Sequence, residues 1–385
     1  MNDLPYDILV VGAGPAGAVS AAEAARRGRR VALLERKQEV GIPVRCGEGV
    51  GLKGFALTMP IRSEWILAAI RRVRLVSPSG MELTLADVDT SYVLDRTRMD
   101  PDLVKDAQVC GVDYYPATPV VSLQKNADGY VCRSPGKSFY ADCVILADGV
   151  ESRLARQAGW KTALPLRDIE TCAFARVEHA SIGGDVLAMY TGKKVAPGGY
   201  AWIFPRGEGV ANVGLGILGS ASTGGMARRL LTSFVATHFA GARISHLHCG
   251  AVPVGRWLKP LVRGGVMVVG DAARQVNALN GGGINYALFA GQCAGAAAAE
   301  AFASGRFNPQ ALQAYETQWS RRCGKQQMRS YALKQMVVTW PDSVLDDFAR
   351  RLAGAGAQRL SYLKVFLRVF AAHPRLLLKA FLLFR

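Results

Sequence analysis

The sequence has no CxxC pair among its eight cysteines, and no His/Cys run with the spacing of a metal site. A chain of 385 residues can bury a large core without such staples. The cysteines therefore read as reduced thiols, most of them core filler. No stretch approaches the ~18 apolar residues of a spanning helix, and no signal-peptide pattern opens the chain: Asn2, Asp3 and Pro5 precede a short apolar run that ends in glycines. The expectation is a cytoplasmic protein that at most lies on the surface of the cytoplasmic membrane. Acid is scarce as well. Thirty Asp and Glu stand against 47 Lys and Arg, a net charge of +17. That balance favours anionic partners. No nucleic-acid motif occurs and no lysine-rich run interleaves with aromatics, so an acidic lipid or a phosphate-bearing substrate is preferred to nucleic acid.

What is present begins at Tyr6. Residues 6–11 read as an apolar strand, Gly12-Ala13-Gly14-Pro15-Ala16-Gly17 as a glycine loop and 18–27 as an alanine-rich helix. Gly28 stops the helix, and 31–34 form a second strand that ends in Glu35-Arg36. A glycine fingerprint alone is weak. Here it follows a strand, opens a helix and is completed by an acid at a strand end, which is the context of a dinucleotide site. Gly12 allows the tight turn, Gly14 admits a pyrophosphate against the backbone, and Gly17 lets helix and strand pack closely. The helix N-terminus offers unpaired N–H groups to phosphate, and Glu35 can accept from ribose hydroxyls. Whether the dinucleotide is FAD or NAD is not decided by this loop.

Further strands are expected at 73–78 and 81–85, a hairpin about Ser79-Gly80, at 120–123, 130–133, 139–146 and 266–269, with several more between Cys172 and Ile217. Residues 285–302 read as an alanine-rich helix, and the pattern from Asn308 onward is helical. The fold class is α/β. A Rossmann-type cofactor domain (1–55, 95–165 and 256–305) is expected to interleave with a mixed-sheet substrate domain (56–94 and 166–255), ahead of a C-terminal helical region (306–385).

Five segments carry a resemblance. Pro43-Val44-Arg45-Cys46-Gly47-Glu48-Gly49 resembles the geranylgeranyl reductase family, FAD enzymes with the fold of para-hydroxybenzoate hydroxylase. Leu94-Asp95-Arg96, with Asp100 following, resembles that family's arginine segment beside the flavin. Ala147-Asp148-Gly149, with Ser152 and Arg153, resembles its DG motif. Tyr200-Ala201-Trp202-Ile203-Phe204-Pro205, followed by Asn212-Val213-Gly214-Leu215-Gly216, resembles its substrate-domain signature. Gly270-Asp271-Ala272-Ala273 and Gly281-Gly282-Gly283-Ile284 resemble the second FAD fingerprint. The likeness runs from residue 6 to about residue 305.

The resemblance implies FAD. It puts Gly12, Gly14, Ala16 and Gly17 at the pyrophosphate loop, and Glu35 at the adenosine ribose with Arg36 beside it. Cys46, Gly47 and Gly49 would line the flavin, Arg96 would touch the cofactor, and the backbone at Val120 would border the adenine. Asp271 would reach the ribityl or pyrophosphate region, and Gly283 and Ile284 would present N–H groups to the isoalloxazine edge. A glycine surface opening a helix suits that last place, because a reduced flavin is anionic there. Cys46 and Glu48 are the catalytic candidates: a thiol whose pKa a neighbouring cation would lower, and an acid able to donate a proton. Their plainer alternatives are a small buried residue and a solvated loop acid. Tyr200, Trp202 and Phe204 alternate, so on a strand they share one face. They would wall an apolar tunnel for a polyprenyl chain, or else form a packing face. Flavin halogenases carry a motif of similar shape with Trp first and Ile before the proline; Tyr200 and Phe204 here favour the reductase. His246 and His248 beside Cys249 read as a strand rather than a metal site.

Residues 350–385 carry eight Lys/Arg and no acid, with Ser361, Lys364 and Arg368 on one helical face. They suit either an amphipathic helix on an anionic membrane or a cap over the tunnel. The implied activity is FAD-dependent reduction of isolated double bonds in a geranylgeranyl or polyprenyl lipid or a prenyl diphosphate. The alternatives are an FAD monooxygenase or halogenase of an aromatic or polyketide, and a flavin-binding protein without turnover. Ferredoxin, a deazaflavin and NAD(P)H are all compatible as electron donor, since no second Rossmann fingerprint is present. An unactivated alkene also needs a strong acid in a dry site, and the sequence does not identify one.

Overall fold

A computed structural model describes residues 6–354. Of the basic stretch 350–385, residues 355–385 with Ser361, Lys364 and Arg368 lie outside the described residues, and Arg350 and Arg351 lie in the helix Asp342–Gly354 and pair with Asp347. In chain order the strands are β1 (Tyr6–Val11), β2 (Val31–Leu34), β3 (Gly49–Gly51), β4 (Ile66–Val76), β5 (Glu82–Leu94) and β6 (Asp113–Tyr115). There follow β7 (Ser122–Asn126), β8 (Gly129–Ser134), β9 (Lys137–Leu146), β10 (Ile169–Glu178) and β11 (Val186–Tyr190). The last are β12 (Tyr200–Pro205), β13 (Val210–Leu218), β14 (Arg243–Pro253), β15 (Val262–Arg263) and β16 (Val266–Val268).

These strands form two eight-stranded sheets. The first has the order β15-β16-β9-β1-β2-β6, with the β7–β8 hairpin paired onto β9. Its central strands β16, β9, β1, β2 and β6 are parallel. Ile8, Leu9, Val10 and Val144 to Leu146 are fully buried, as strands covered on both faces require, and their continuous apolar runs reflect it. Helices Pro15–Arg26 and Ile284–Glu300 pack on one another beside this sheet. The second sheet has the order β14-β10-β13-β12-β11-β4-β5-β3 and is antiparallel except at β11–β4. The chain passes repeatedly between the sheets, and it first crosses at Gly49, where β3 pairs with β5.

The two faces of the second sheet differ. Ala173, Ala175, Val213 and Leu215 pack against Leu231, Phe234 and Val235 of the helix Met226–His238. The alternate residues, among them Cys172, Phe174, Gly214 and Trp202, point the other way, towards the glycine loops of the first sheet. Helices Gln313–Trp319 and Lys325–Val337 fasten both sheets. The Tyr315 hydroxyl donates to the carbonyl of Val268 at 2.8 Å, and Lys334 Nζ donates to that of Val254 at 2.9 Å. No helix among the described residues is long and apolar enough to cross a membrane.

Two helices depart from the expected pattern. Arg96–Val109 has Pro101 inside it, and proline ordinarily ends a helix. Here Asp95 caps the N-terminus, accepting from Thr97 N–H at 3.0 Å. Met226–His238 buries only one narrow apolar stripe.

The first glycine loop packs tightly. A Cβ on Gly17 would stand 1.8 Å from the carbonyl oxygen of Gly12, and one on Gly12 would stand 2.4 Å from that of Ala147, at φ +98°. Backbone cannot yield as a flexible side chain can. Gly17→Ala is therefore expected to destabilise the fold by about 3 kcal/mol or more, read by urea unfolding. Stability equal to wild type would contradict this packing.

Candidate active site

Two cavities of about 580 and 530 Å³ meet between the sheets. They share Gly14, Arg45, Arg96, Ala147 and Gly149, so together they form one elongated cleft. The smaller is lined by Gly12, Glu35, Arg36, Val120 and Asp148. The larger is lined by Ala16, Cys46, Gly47, Gly49, Asp271, Gly283 and Ile284, and by Tyr200, Trp202 and Phe204. Of the expected cofactor residues only Gly17 lines neither; it serves the helix–strand packing.

The cleft has the features of a dinucleotide cradle. A Cβ on Gly14 would meet nothing within 4 Å, so the missing side chain leaves open space at the mouth of a helix. Gly14 and Gly283 are the N-caps of Pro15–Arg26 and Ile284–Glu300, and neither helix has a side-chain cap. Their first N–H groups stay available to an anionic ligand. At the far end Glu35 accepts from the N–H groups of Ala13 at 2.8 Å and Lys37 at 3.0 Å. Each of its oxygens keeps a lone pair for a ribose hydroxyl. Arg96 stands where the cavities join. Its guanidinium grips Asp100 through two bonds, of 3.0 and 2.6 Å. Burial opposes the Arg96 charge, but Asp100 and Cys46 outweigh it and push the pKa up.

Cys46 opens on the larger cavity beside Arg96. The expected lowering of its pKa does not occur. Burial pushes the thiol up, and the attraction of Arg96 offsets this only in part. Glu48 is 2% exposed and holds φ 65°. One of its oxygens accepts from the Arg96 N–H at 3.1 Å, and the other from the Arg206 guanidinium and from Asn212 Nδ2 at 3.4 Å. Asn212 Nδ2 also donates to the carbonyl of Cys46 at 2.9 Å. With both oxygens engaged, Glu48 is built into the wall rather than poised as a free acid.

The aromatic triplet does share one face. Successive ring centroids of Tyr200, Trp202 and Phe204 are 5.9 Å apart. A Cβ on Gly214 would stand 2.3 Å from the Trp202 indole, and Cβ atoms on Gly47 and Gly49 would stand 3.1 and 3.0 Å from the Phe204 ring. These glycines make room for the rings. Tyr200 reaches the opposite side, its hydroxyl donating to the carbonyl of Asn280 at 2.7 Å. His246 and His248 lie on β14, and among the described residues no three His, Cys, Asp or Glu side chains gather as a metal site. Two site residues escape the sequence expectations. Arg206 directly follows the aromatic motif but pairs with a residue far away in the chain. Glu170 lines the larger cavity, and its only signal is an alternation with Cys172 and Phe174 along β10.

A parallel sheet with a glycine-capped helix, joined to a mixed sheet that walls the same cleft, defines a flavoprotein of the FAD-binding class. The FAD binding domain profile matches residues 5–171, and the geranylgeranyl reductase catalytic domain profile matches residues 168–252. The chain is 37% identical to digeranylgeranylglycerophospholipid reductase 1 of Methanococcoides burtonii, over 97% of this chain and 93% of that one. A geranylgeranyl bacteriochlorophyll reductase-like protein from Thermoplasma acidophilum superposes with a TM-score of 0.90 at 30% identity, over 98% of this chain and 99% of the other. The flavin-dependent brominase Bmp2 shares the fold alone, at 18% identity and a TM-score of 0.69, over 91% and 90% of the two chains. The chain belongs to the geranylgeranyl reductase family. Its cofactor is FAD, and it is an FAD-dependent oxidoreductase.

The Glu48–Arg206 pair yields a direct test. Arg206→Met leaves a buried carboxylate without its cation, and about 3–5 kcal/mol of stability should be lost. Adding Glu48→Gln should restore part of it, read by urea unfolding of both variants. An Arg206→Met protein as stable as wild type would contradict the pairing.

Proposed function

We propose that this protein reduces isolated double bonds in the geranylgeranyl chains of a glycerophospholipid. One observation carries the proposal: the cavity at the glycine loop and Glu35 shares Gly14, Arg45, Arg96, Ala147 and Gly149 with a cavity walled by Tyr200, Trp202 and Phe204. The cleft suits FAD and the wall suits a long apolar chain. The names of relatives that match nearly the whole chain support the same substrate.

When bound, reduced FAD supplies the hydride. The chain's own residues bind, orient and exclude water. In our assignment Gly12, Gly14, Ala16 and the first helix N-terminus hold the pyrophosphate, and Gly17 keeps that loop compact. Glu35 and Arg36 hold the adenosine, with Val120 at its edge. Arg96 supplies fixed positive charge at mid-cleft, and Asp271 meets the ribityl region. Gly283 and Ile284 offer N–H groups to the flavin edge. Cys46, Gly47 and Gly49 pack against the flavin on the substrate side. Glu48 is assigned as a positioning residue that fixes the Cys46 loop, since its oxygens are already engaged. The aromatic triplet orients the chain. We assign the first sheet to a cofactor domain and the second to a substrate domain. With a net charge of +17, the protein is proposed to work from the cytoplasm at the anionic membrane surface where such a lipid resides. Ferredoxin, a deazaflavin or NAD(P)H would renew the reduced flavin.

Dithionite bypasses the donor and permits a direct test. Dithionite-reduced protein is mixed anaerobically with a geranylgeranylated glycerophospholipid, and the products are weighed. The expected result is one added H₂ per double bond reduced, with Trp202→Ala slower by about tenfold or more. An unchanged lipid, with oxygen-dependent hydroxylation or halogenation of an aromatic instead, would overturn the proposal.

A further inference from the structure

Alkene reduction, on which this inference rests, needs a proton as well as a hydride. Besides Asp271 of the cofactor loop, six acidic side chains line the larger cavity: Cys46, Glu48, Tyr92, Glu170, Cys172 and Tyr200. Both Glu48 oxygens accept hydrogen bonds from the wall, and the Tyr200 hydroxyl donates to Asn280. Glu170 differs from Glu48 and Tyr200. It is 5% exposed, lines the cavity, and receives no hydrogen bond or ion pair among the described residues. Lys334, the cation whose charge acts on it, makes no ion pair with it. Lys334 Nζ directs its three N–H groups to the carbonyl of Arg167, to Asp168 Oδ1 and to the carbonyl of Val254, at 2.8, 3.0 and 2.9 Å. Desolvation drives a carboxyl group buried in this way towards its neutral form.

Its place in the fold also suits a donor. Glu170 is paired across the sheet with Val252 of β14. The Val252 Cγ1 lies 3.9 Å from where a Gly281 Cβ would stand, so Glu170 lies one strand away from the triple glycine at the head of Ile284–Glu300. Gly216 keeps the space before the carboxyl clear: a Cβ there would stand 2.9 Å from Glu170 Oε2. Cys172 and Gly216 share the row of Tyr200, the residue that reaches across to Asn280. The glutamate therefore stands at the end of the aromatic wall that meets the flavin-edge loop.

We propose that Glu170 is the acid that protonates the alkene. The Glu170 O–H bond breaks as the π pair of the alkene forms a C–H bond to that proton. The other alkene carbon receives hydride, with its electron pair, supplied by the reduced flavin. The products are the saturated bond, oxidised flavin and the Glu170 carboxylate, which regains its proton from water. Burial pushes the Glu170 carboxyl up to about 7, against a small opposing pull from Lys334. The other groups facing it are weaker acids, because burial pushes Cys172 and Tyr200 well above their ordinary ranges and raises Cys46 too.

The test uses the FAD-loaded protein and its Glu170→Gln and Glu170→Asp variants. Oxidation of dithionite-reduced flavin by geranylgeranylated glycerophospholipid is followed anaerobically against pH. Wild type should be fastest below about pH 7 and slow above it. Glu170→Gln should be slower by about a hundredfold or more and lose that alkaline fall, with FAD and lipid affinities unchanged. Glu170→Asp should keep the fall at an intermediate rate. A second readout needs no turnover. A raised carboxyl pKa in the folded state means stability is lost as pH rises, so wild type should lose stability relative to Glu170→Gln between about pH 4.5 and 7. Glu170→Gln that matches wild type in rate and pH profile overturns the donor, as does a variant that merely loses FAD or lipid affinity. Wild type that leaves the lipid mass unchanged indicts alkene reduction itself.

Discussion

One buried ion pair, Glu48 with Arg206, holds the working parts of the site in register. Glu48 belongs to the loop that carries Cys46, and Arg206 follows the strand that carries the aromatic wall. The pair joins the Cys46 loop to the strand of the aromatic wall. Asp95 stands 3.9 Å from Arg206 and caps the helix from which Arg96 projects, and Glu48 also accepts from the Arg96 N–H. A buried pair of this kind contributes little net stability, because desolvation opposes its attraction. Its consequence is positional. Loop, cation and aromatic ring cannot shift independently without leaving a buried charge unpaired.

Around that anchor the cleft is electrostatically graded. One end carries the Glu35 carboxylate with lone pairs for hydroxyls. The middle carries Arg96, whose charge is secured by Asp100, and two helix N-termini without side-chain caps. The far end is apolar and aromatic, and Glu170 there has no hydrogen bond or ion pair among the described residues. In the proposed assignment, sugar, pyrophosphate, ring and hydrocarbon follow that order.

Much of this was legible in the sequence, for physical reasons. Strands buried on both faces must be continuously apolar, so 6–11 and 31–34 stood out. Glycines mark close approach, and Gly12, Gly17 and Gly214 each face backbone or an indole that a side chain would strike. Alternation put Tyr200, Trp202 and Phe204 on one face. What escaped depends on contacts between distant segments. Pro101 hid the helix Arg96–Val109. The partner of Glu48, Arg206, lies 158 residues away along the chain. Of the two readings of Cys46, the acidic thiol rested on a neighbouring cation; burial, which sequence does not display, pushes its pKa up. Glu170 looked like one acid in a strand until its cavity and its lack of partners were visible.

In the proposed reaction a lipid alkene takes up the electrons of the flavin in this cleft. The most direct measurement is the visible absorbance of the protein's flavin after reduction under argon. On addition of a geranylgeranylated glycerophospholipid, the oxidised flavin spectrum should return without oxygen, and the fully saturated lipid should leave the flavin reduced. A flavin that stays reduced with the unsaturated lipid and recovers only when air is admitted would contradict the account.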